Sequence, residues 1–409
     1  MVTSTSATES LSPVSEAEVA EGVRAAHDAS QAVYPIGGGT ALDYGNAPTM
    51  PGQRLDLSGL SRIVDYTPRD MTIVVEAGVR MADLAATLAG EGQHLPIDVP
   101  RAAEATIGGV VATNWNGPRR YGHGTIRDYV IGIHAVDGRG TPFKGGGRVV
   151  KNVAGYDFCK LLTGSLGTLA VVTQLALKLK PQPESAATIV GECSDLAMAE
   201  NALSRLAMLE TPPVAIDLLI GEGWSSEFRG RNHLVVRIEG TEREIAWLTD
   251  QVQRTLTATG CAAANVLSKS QADALWNRQI EFSDRGVGDT DDDSPMVLKI
   301  AVPASAVSET IRGVLSIDAN CTIQSHAGNG IILARFKEFR HENISKTLVG
   351  KLRPAAVKLG GSLVVVRSRL EELTPHLVWG GRTDATVLLE QVKQQFDPRN
   401  ILNPGRYVF

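Results

Sequence analysis

A chain of 409 residues with 43% hydrophobic and 21% charged side chains is long enough for two globular domains, each with its own core, which excludes general disorder. A net charge of −5 without any long basic run lacks the electrostatic footprint of a nucleic-acid binder. Four cysteines, Cys159, Cys193, Cys261 and Cys321, stand far apart in sequence with no CxxC pair, which argues against iron–sulfur clusters, structural zinc and a disulfide framework.

The N-terminus, MVTSTSATES, has no basic region followed by an apolar stretch, and no window approaches the ~20 apolar residues of a bilayer span. The chain is expected to be neither exported nor integral to a membrane, in a cytoplasmic setting. Residues 1–13 are Ser/Thr-rich and read as a mobile tail, after which Ser15 and Glu18 form a capping-box pattern for a helix that puts Val19, Val23 and Ala26 on one face. Ala32 to Ile36 reads as a strand emptying into Gly37, Gly38 and Gly39. Leu55 to Val64 reads as extended and turning, Thr72 to Val75 as a strand, and Met81 to Leu88 as a helix stopped by Gly90 and Gly92.

Tyr129 to Val136 and Leu169 to Leu179 are further strand candidates, and Pro181 and Pro183 mark a domain boundary. Beyond it, strands at Val214 to Ile220, Leu234 to Glu239, Val297 to Val302 and Gly330 to Phe336 alternate with helical patterns at Glu242 to Ala258 and Ser305 to Ser316. That pattern predicts a second α+β domain over 184–370, an antiparallel sheet with helices on one face. The aspartate-rich run Asp284 to Asp293 reads as a solvated loop. From 371 to 409 a helix is followed by FDPRNILNPGR, whose Asn and Pro residues require a fixed irregular loop, expected to return to the first domain, 14–183.

Glycine makes up 41 of the 409 residues and clusters in a few loops, and that is where chemistry is sought. Consecutive glycines after a strand can turn several backbone N–H groups to one side, a nest for pyrophosphate, although a lone GGG can equally be a tight turn. The sixth position of a GxGxxG fingerprint is here Leu42, and no GK[ST] follows, so neither a Rossmann nor a Walker loop fits. A second segment joins Thr106, Gly108, Gly109, Thr113 and Asn114 to Arg120, Tyr121 and Gly122. Its small residues admit a flat ligand, and its polar ones supply hydrogen bonds and offset phosphate charge. A third runs KNVAGYD, with Gly155, then GSLGTL, with Gly167, Thr168 and, just beyond, Val172.

In this order the segments, with the closing LNPGR, resemble the FAD-binding domain of the PCMH-type, or vanillyl-alcohol oxidase, flavoprotein family over residues 14–183. The resemblance implies a two-part α+β FAD domain capped by the intervening α+β domain. It places the pyrophosphate on Ile36, Gly37, Gly38, Gly39, Thr40 and Ala41, the isoalloxazine and ribityl near Thr106 to Gly122, adenine near Gly167 to Val172, and Asn403 and Arg406 at the same site. Within the family, KNVAGYDFCKLLTGSLGTLAVVTQ is similar to the E-subunit family of bacterial glycolate oxidase. That likeness implies oxidation of a 2-hydroxy acid, glycolate to glyoxylate. It also implies a homologous FAD subunit and an iron–sulfur subunit as partners, with membrane contact only through them. A free-standing D-2-hydroxyacid (D-lactate) dehydrogenase and a flavin-stabilised assembly subunit remain alternatives.

The first glycine loop has no histidine, so FAD is expected to be non-covalent; His94 and His123 are tether candidates or, alternatively, ordinary hydrogen-bonding histidines. Ser325 to Gly330 resembles the HxGDGxxH signature of related dehydrogenases, with Asn329 in place of Asp and Leu333 where the second His would stand, so no catalytic metal is expected. His326 is a candidate base toward a 2-hydroxy acid, or a structural histidine in a degenerate site. Arg367, Arg369 and Arg382 are candidates to pair with a substrate carboxylate or are exposed arginines, and Cys159 reads as core packing.

Overall fold

The computed structural model describes residues 10–48, 50–147, 155–224, 228, 230–284, 296–336, 344–368 and 373–408. It is α+β throughout, and it divides into two compact units: Met1–Asn116 with Thr125–Gln182 and Gly381–Phe409, and Gly117–Gly124 with Pro183–Gly380.

In the first unit, Ser15 accepts the Glu18 N–H and the Glu18 carboxylate takes the Val14 N–H at 2.9 Å, which starts the helix Glu16–Ala29. Its apolar stripe, Val19, Ala20, Val23 and Ala26, packs on Val33, Leu55, Val136, Val171, Ile401 and Leu402. Strands Ser10–Leu11, Gly52–Asp56 and Ala32–Ile36 run parallel in one small sheet. Ser10 and Leu11 are therefore paired strand residues and not part of a mobile tail; residues 1–9 lie outside the described residues. A five-stranded antiparallel sheet, in the order Ile63–Thr67, Thr72–Glu76, Ala170–Lys178, Val130–Asp137, Pro142–Gly146, carries a separate core with the helices Met81–Ala89 and Ile107–Thr113.

The C-terminal segment closes this unit. Val33 donates its N–H to Ile401 O at 2.8 Å and accepts from Asn403 N at 3.0 Å, so the first long strand gains a neighbour from the last few residues. The helix Asp384–Phe396 ends in a buried knot: Lys393 Nζ donates to Asp397 Oδ2 (2.6 Å), Thr168 O (2.7 Å) and Leu402 O (3.0 Å). Asp397 in turn accepts the N–H groups of Ile401 and Leu402. Those five bonds fix the irregular FDPRNILNPGR segment that its two Asn and two Pro residues require.

The second unit is built on one eight-stranded antiparallel sheet in the order Ala262–Val266, Ser185–Glu192, Asn232–Gly240, Ala215–Ile220, Thr322–His326, Ile331–Phe336, Met296–Ala301, Ser362–Ser368. Helices Leu196–Leu206, Glu242–Ala258 and Val307–Leu315 cover one face, burying Ile216, Leu218, Val236, Leu298 and Ile332. Contrary to the one-sided expectation, a fourth helix, Lys269–Glu281, packs through Leu275 on Leu219, Val235 and Leu333 of the opposite face. Strands alternate their side chains between faces, so the residues that depart from apolar patterning, Asp217, Arg237, Lys299, Gln324 and His326, share this second face.

Two boundaries differ from the expected ones. Residues 117–124 group with the second unit because Gly122 N donates to Val214 O (3.0 Å) and Arg119 pairs with Glu239. The second unit also runs on to Gly380, because the Arg353 guanidinium donates to the carbonyls of His376 (2.9 Å) and Leu377 (2.6 Å) in the helix Pro375–Trp379. Most of the aspartate-rich run, 285–293, lies outside the described residues. Two cysteines that stand 68 residues apart, Cys193 and Cys261, are brought side by side by the pairing of Glu192 with Ala262, with their buried sulfurs 3.3 Å from each other. Among the described residues no helix is long and apolar enough to cross a membrane.

Candidate functional site

A cavity of about 480 Å³ opens in the first unit where the strand Ala32–Ile36 runs into its glycines. The loop lies hard against residues 104–106: a Cβ on Gly38 would come 1.7 Å from Glu104 O, and one on Gly37 would come 2.1 Å from Thr106 Oγ1. Only hydrogen fits at either position. Gly39 adopts φ +68°, the left-handed backbone that glycine takes without cost and that turns successive N–H groups toward one side. Thr106 caps the helix Ile107–Thr113 through the Gly109 N–H, and Gly109, Ala112 and Thr113 form the opposite wall.

The far wall comes from the turn at Leu166 and from the C-terminus. Asn403 Nδ2 donates to Leu166 O at 2.8 Å, and a Cβ on Gly167 would lie 2.9 Å from that same nitrogen. Arg406 is nearly buried and spans the loop, donating to Asn46 O (3.0 Å) and Ala41 O (3.1 Å). Burial pulls its guanidinium down to about 10, against the opposing charges of Asp43 and Tyr34. The exposed Arg54 stands at the rim, and Tyr44, whose hydroxyl burial pushes up to about 12, packs edge-on against Trp115. A backbone nest, two cations and a long cleft without acidic lining suit a dinucleotide pyrophosphate with flat ends.

Of the residues expected at this site, Ile36 to Ala41, Thr106, Gly109, Thr113, Asn403 and Arg406 line the cavity, and Gly167 stands directly behind Asn403. Others are placed elsewhere. Gly108 faces Ala77, where a Cβ would meet another Cβ at 2.7 Å, and Asn114 is the left-handed end of its helix, φ +50°. Thr168 is buried and bonded to Ser165 O, Val172 is strand core, and Gly155 is exposed; Lys151 to Ala154 lie outside the described residues. Arg120, Tyr121 and Gly122 belong to the second unit. Sequence reasoning missed Tyr34, Tyr44, Arg54 and Leu166, which carry no local signature beyond their place beside a glycine loop.

A second polar constellation lies within the second unit. The buried Glu239 carboxylate takes Arg119 (2.8 Å), Arg237 (3.0 Å) and His123 (3.5 Å), and both guanidiniums lie over the Trp276 ring, at 5.0 and 4.4 Å from its centroid. Burial alone would raise Glu239, but the His123 and arginine partners outweigh it and hold the carboxyl well below its ordinary value. His123 thus serves an ion-pair cluster, and His94 sits in a short strand paired with Lys180.

Beside this cluster, His326 ends its strand with Nδ1 3.0 Å from Asp217 Oδ1, and Asp217 also accepts Gln279 Nε2 (2.7 Å) and Gln324 Nε2 (3.1 Å). The turn after His326 is held on both sides. A Cβ on Gly328 would strike the Tyr121 ring at 2.5 Å, and one on Gly330 would meet Val302 O at 1.8 Å. Two strands away on the same face, Lys299 has no hydrogen-bond or ion-pair partner among the described residues, and its ammonium is drawn down to about 8 by burial and then by the charge of Arg120. Leu333, at the degenerate position, is buried among Leu219, Val235 and Leu275. Among the described residues no three His, Cys, Asp or Glu side chains are placed to hold a metal. Arg367 is paired with Asp284, and the exposed Arg382 with Glu390; Arg369 lies outside the described residues. Cys159 is buried in the first unit's core, as read from its sequence context.

Comparison with known proteins agrees with this geometry. Residues 10–146 match the FAD binding domain model, and residues 380–407 match the C-terminal domain of FAD linked oxidases. The chain is 25% identical to the glycolate oxidase subunit GlcD of Bacillus subtilis over 91% of its own length and 83% of that protein's. It is 29% identical to a D-lactate dehydrogenase of Archaeoglobus fulgidus over 97% and 90% of the two chains. To the glycolate oxidase subunit GlcE of Escherichia coli it is 35% identical over 195 residues, 47% of this chain and 52% of that one. An alkyldihydroxyacetonephosphate synthase structure superposes with a TM-score of 0.69 over 97% of this chain and 75% of the other; at 19% identity that likeness speaks to the fold.

Proposed function

Because the chain belongs to the PCMH-type FAD-linked oxidases and is an FAD-dependent oxidoreductase, we propose that it oxidises a short 2-hydroxy acid, glycolate to glyoxylate, as a subunit of a glycolate oxidase complex. The observation that carries the reading is Lys299. A half-buried ammonium without a partner among the described residues, under the charge of Arg120 and on the same sheet face as an Asp217-backed histidine, is an arrangement that calls for an anion bearing a removable proton.

In this reading Lys299 and Arg120 hold the substrate carboxylate and His326 Nε2 takes the hydroxyl proton. The protein's own work is to orient the acid and to move that proton. FAD supplies the acceptor for the hydride leaving C2. The glycine loop Gly37 to Ala41 would hold its pyrophosphate, with Thr106, Gly109, Thr113, Asn403 and Arg406 along its length. Among the described residues the lining of the cavity contains neither His nor Cys, which supports a non-covalent cofactor. With no cysteine cluster in the chain, electrons would leave through an iron–sulfur partner beside a homologous FAD subunit, and any membrane contact would be made by those partners.

A free-standing D-lactate dehydrogenase is the second reading, favoured by the 29% identity that extends over 97% of this chain. Anaerobic addition of glycolate or D-lactate to the purified chain, followed by the flavin absorption band, separates the two. Bleaching by glycolate supports the proposal. Faster bleaching by D-lactate transfers the function to the second reading. No bleaching by either acid, even with a homologous flavin subunit added, would leave an assembly role and overturn both.

A further inference from the structure

We propose that Asp217 is the positioning residue that gives His326 the tautomer and ring orientation of a base, an assignment that rests on the reading of His326 above. Asp217 sits in mid-strand with no exposed surface, in a row otherwise filled by apolar side chains. A carboxylate is retained in such a place only if its lone pairs are met, and here three donors meet them: His326 Nδ1, Gln279 Nε2 and Gln324 Nε2.

The two amides show how strongly the carboxylate dictates its surroundings. Both Gln279 and Gln324 turn their NH₂ groups to Asp217 and leave buried Oε1 atoms without partners among the described residues. Flipping either would set carbonyl oxygen against carboxylate oxygen, so the orientation that satisfies Asp217 prevails at the expense of the amide oxygens. The same acceptor requires hydrogen on the Nδ1 it faces. In a neutral imidazole one nitrogen donates and the other accepts, so Nδ1–H leaves the lone pair on Nε2.

Gly328 against Tyr121 and Gly330 against Val302 fix the backbone that follows the ring, and Ser325 Oγ donates to Ile331 O at 2.9 Å from the strand behind it. The ring is therefore anchored at its Nδ1 edge. When Nε2 takes the substrate's hydroxyl proton, Nδ1–H stays with Asp217, and the positive charge formed on the ring is offset by a carboxylate already in contact with it.

The test uses the FAD-loaded protein labelled with [¹⁵N]histidine, in which the His326 signals are identified by their loss in His326→Gln. Long-range ¹H–¹⁵N correlation is expected to show a protonated Nδ1 and a bare Nε2; the opposite tautomer in the wild-type protein would overturn the proposal without recourse to any Asp217 variant. Asp217→Asn is expected to mix the tautomers and slow anaerobic flavin bleaching by at least about a hundredfold, leaving the half-saturating acid concentration nearly unchanged. Asp217→Glu should recover part of the rate and the tautomer. If His326→Gln is inactive while Asp217→Asn bleaches at the wild-type rate, the proposal fails alone. If His326→Gln itself bleaches normally, the reading of His326 as the base fails and takes the proposal with it.

Discussion

Replacing Lys393 by Met tests whether one buried ion pair secures the C-terminal wall of the glycine-loop cavity. The stem volume is nearly kept, but the ammonium that Asp397, Thr168 O and Leu402 O share is lost. Burial draws the Lys393 ammonium down and Asp397 holds it up, so the two charges depend on each other in a site where their side chains are 7% and 0% exposed. Removing one partner of such a pair costs about 3–5 kcal/mol, because the remaining charge stays buried and uncompensated. The two orphaned carbonyls contribute to the same penalty and do not simply add to it. Urea unfolding should therefore lose about 3–5 kcal/mol, and because Asn403 and Arg406 follow the knot, bound flavin per protein should fall with it. Lys393→Met with Asp397→Asn should regain much of the loss, since the stranded charge is gone. A single Lys393→Met variant within about 1 kcal/mol of wild type and fully loaded with FAD would refute the reasoning.

Three further outcomes are expected. Gly38→Ala should weaken FAD binding to the apoprotein by at least about tenfold, ~1.4 kcal/mol by calorimetric titration, because its Cβ meets backbone and not a mobile side chain; Gly313→Ala, with open space around it, should leave affinity unchanged. Glu239 has a folded value below its ordinary 4.5, so it adds stability above pH 4.5 that is lost as pH falls from there through the folded value. Glu239→Gln should flatten that acid limb in a thermal-melt series, and an unchanged limb would remove the cluster from the account. Lys299 loses its charge as pH rises through about 8, so oxalate, a non-reactive carboxylate probe, should bind more weakly above that pH and show no such dependence in Lys299→Met.

What the residues disclosed in advance was local. Ala32–Ile36 and Glu242–Ala258 have the bounds that a short apolar run before the glycines and helical spacing assign to them, because those signals act within a few residues. The helix Ile107–Thr113 was concealed by Gly108 and Gly109, poor helix formers tolerated here because Thr106 caps the helix and Ala77 demands a glycine. Thr322–His326, polar at most positions, looks like surface until its strand is buried between neighbours on both sides.

Non-local features left no trace in the pattern. Asp217 and His326 are 109 residues apart and meet only through strand register. Lys299 reads as an ordinary outward residue of an alternating strand, whereas the arginines that looked fit for a substrate, Arg367 and Arg382, are already paired with Asp284 and Glu390. The glycine-loop cavity fared better, since its glycines must be glycines wherever backbone meets backbone, and that demand is visible in the residue type itself.

The seam between Val33 and the Ile401–Asn403 turn has a consequence for the order of synthesis. On a ribosome, the strand Ala32–Ile36 emerges early, yet its neighbour Leu402 is made only after the whole of Pro183–Gly380. At about 5–20 residues per second, translating the intervening ~370 residues takes tens of seconds. The larger sheet has time to fold as a finished body while the cofactor-binding half waits with Val33 and Leu55 not yet covered by Ile401 and Leu402. The nascent chain in that interval is a natural client for a chaperone, and FAD capture should be among the last events of its maturation.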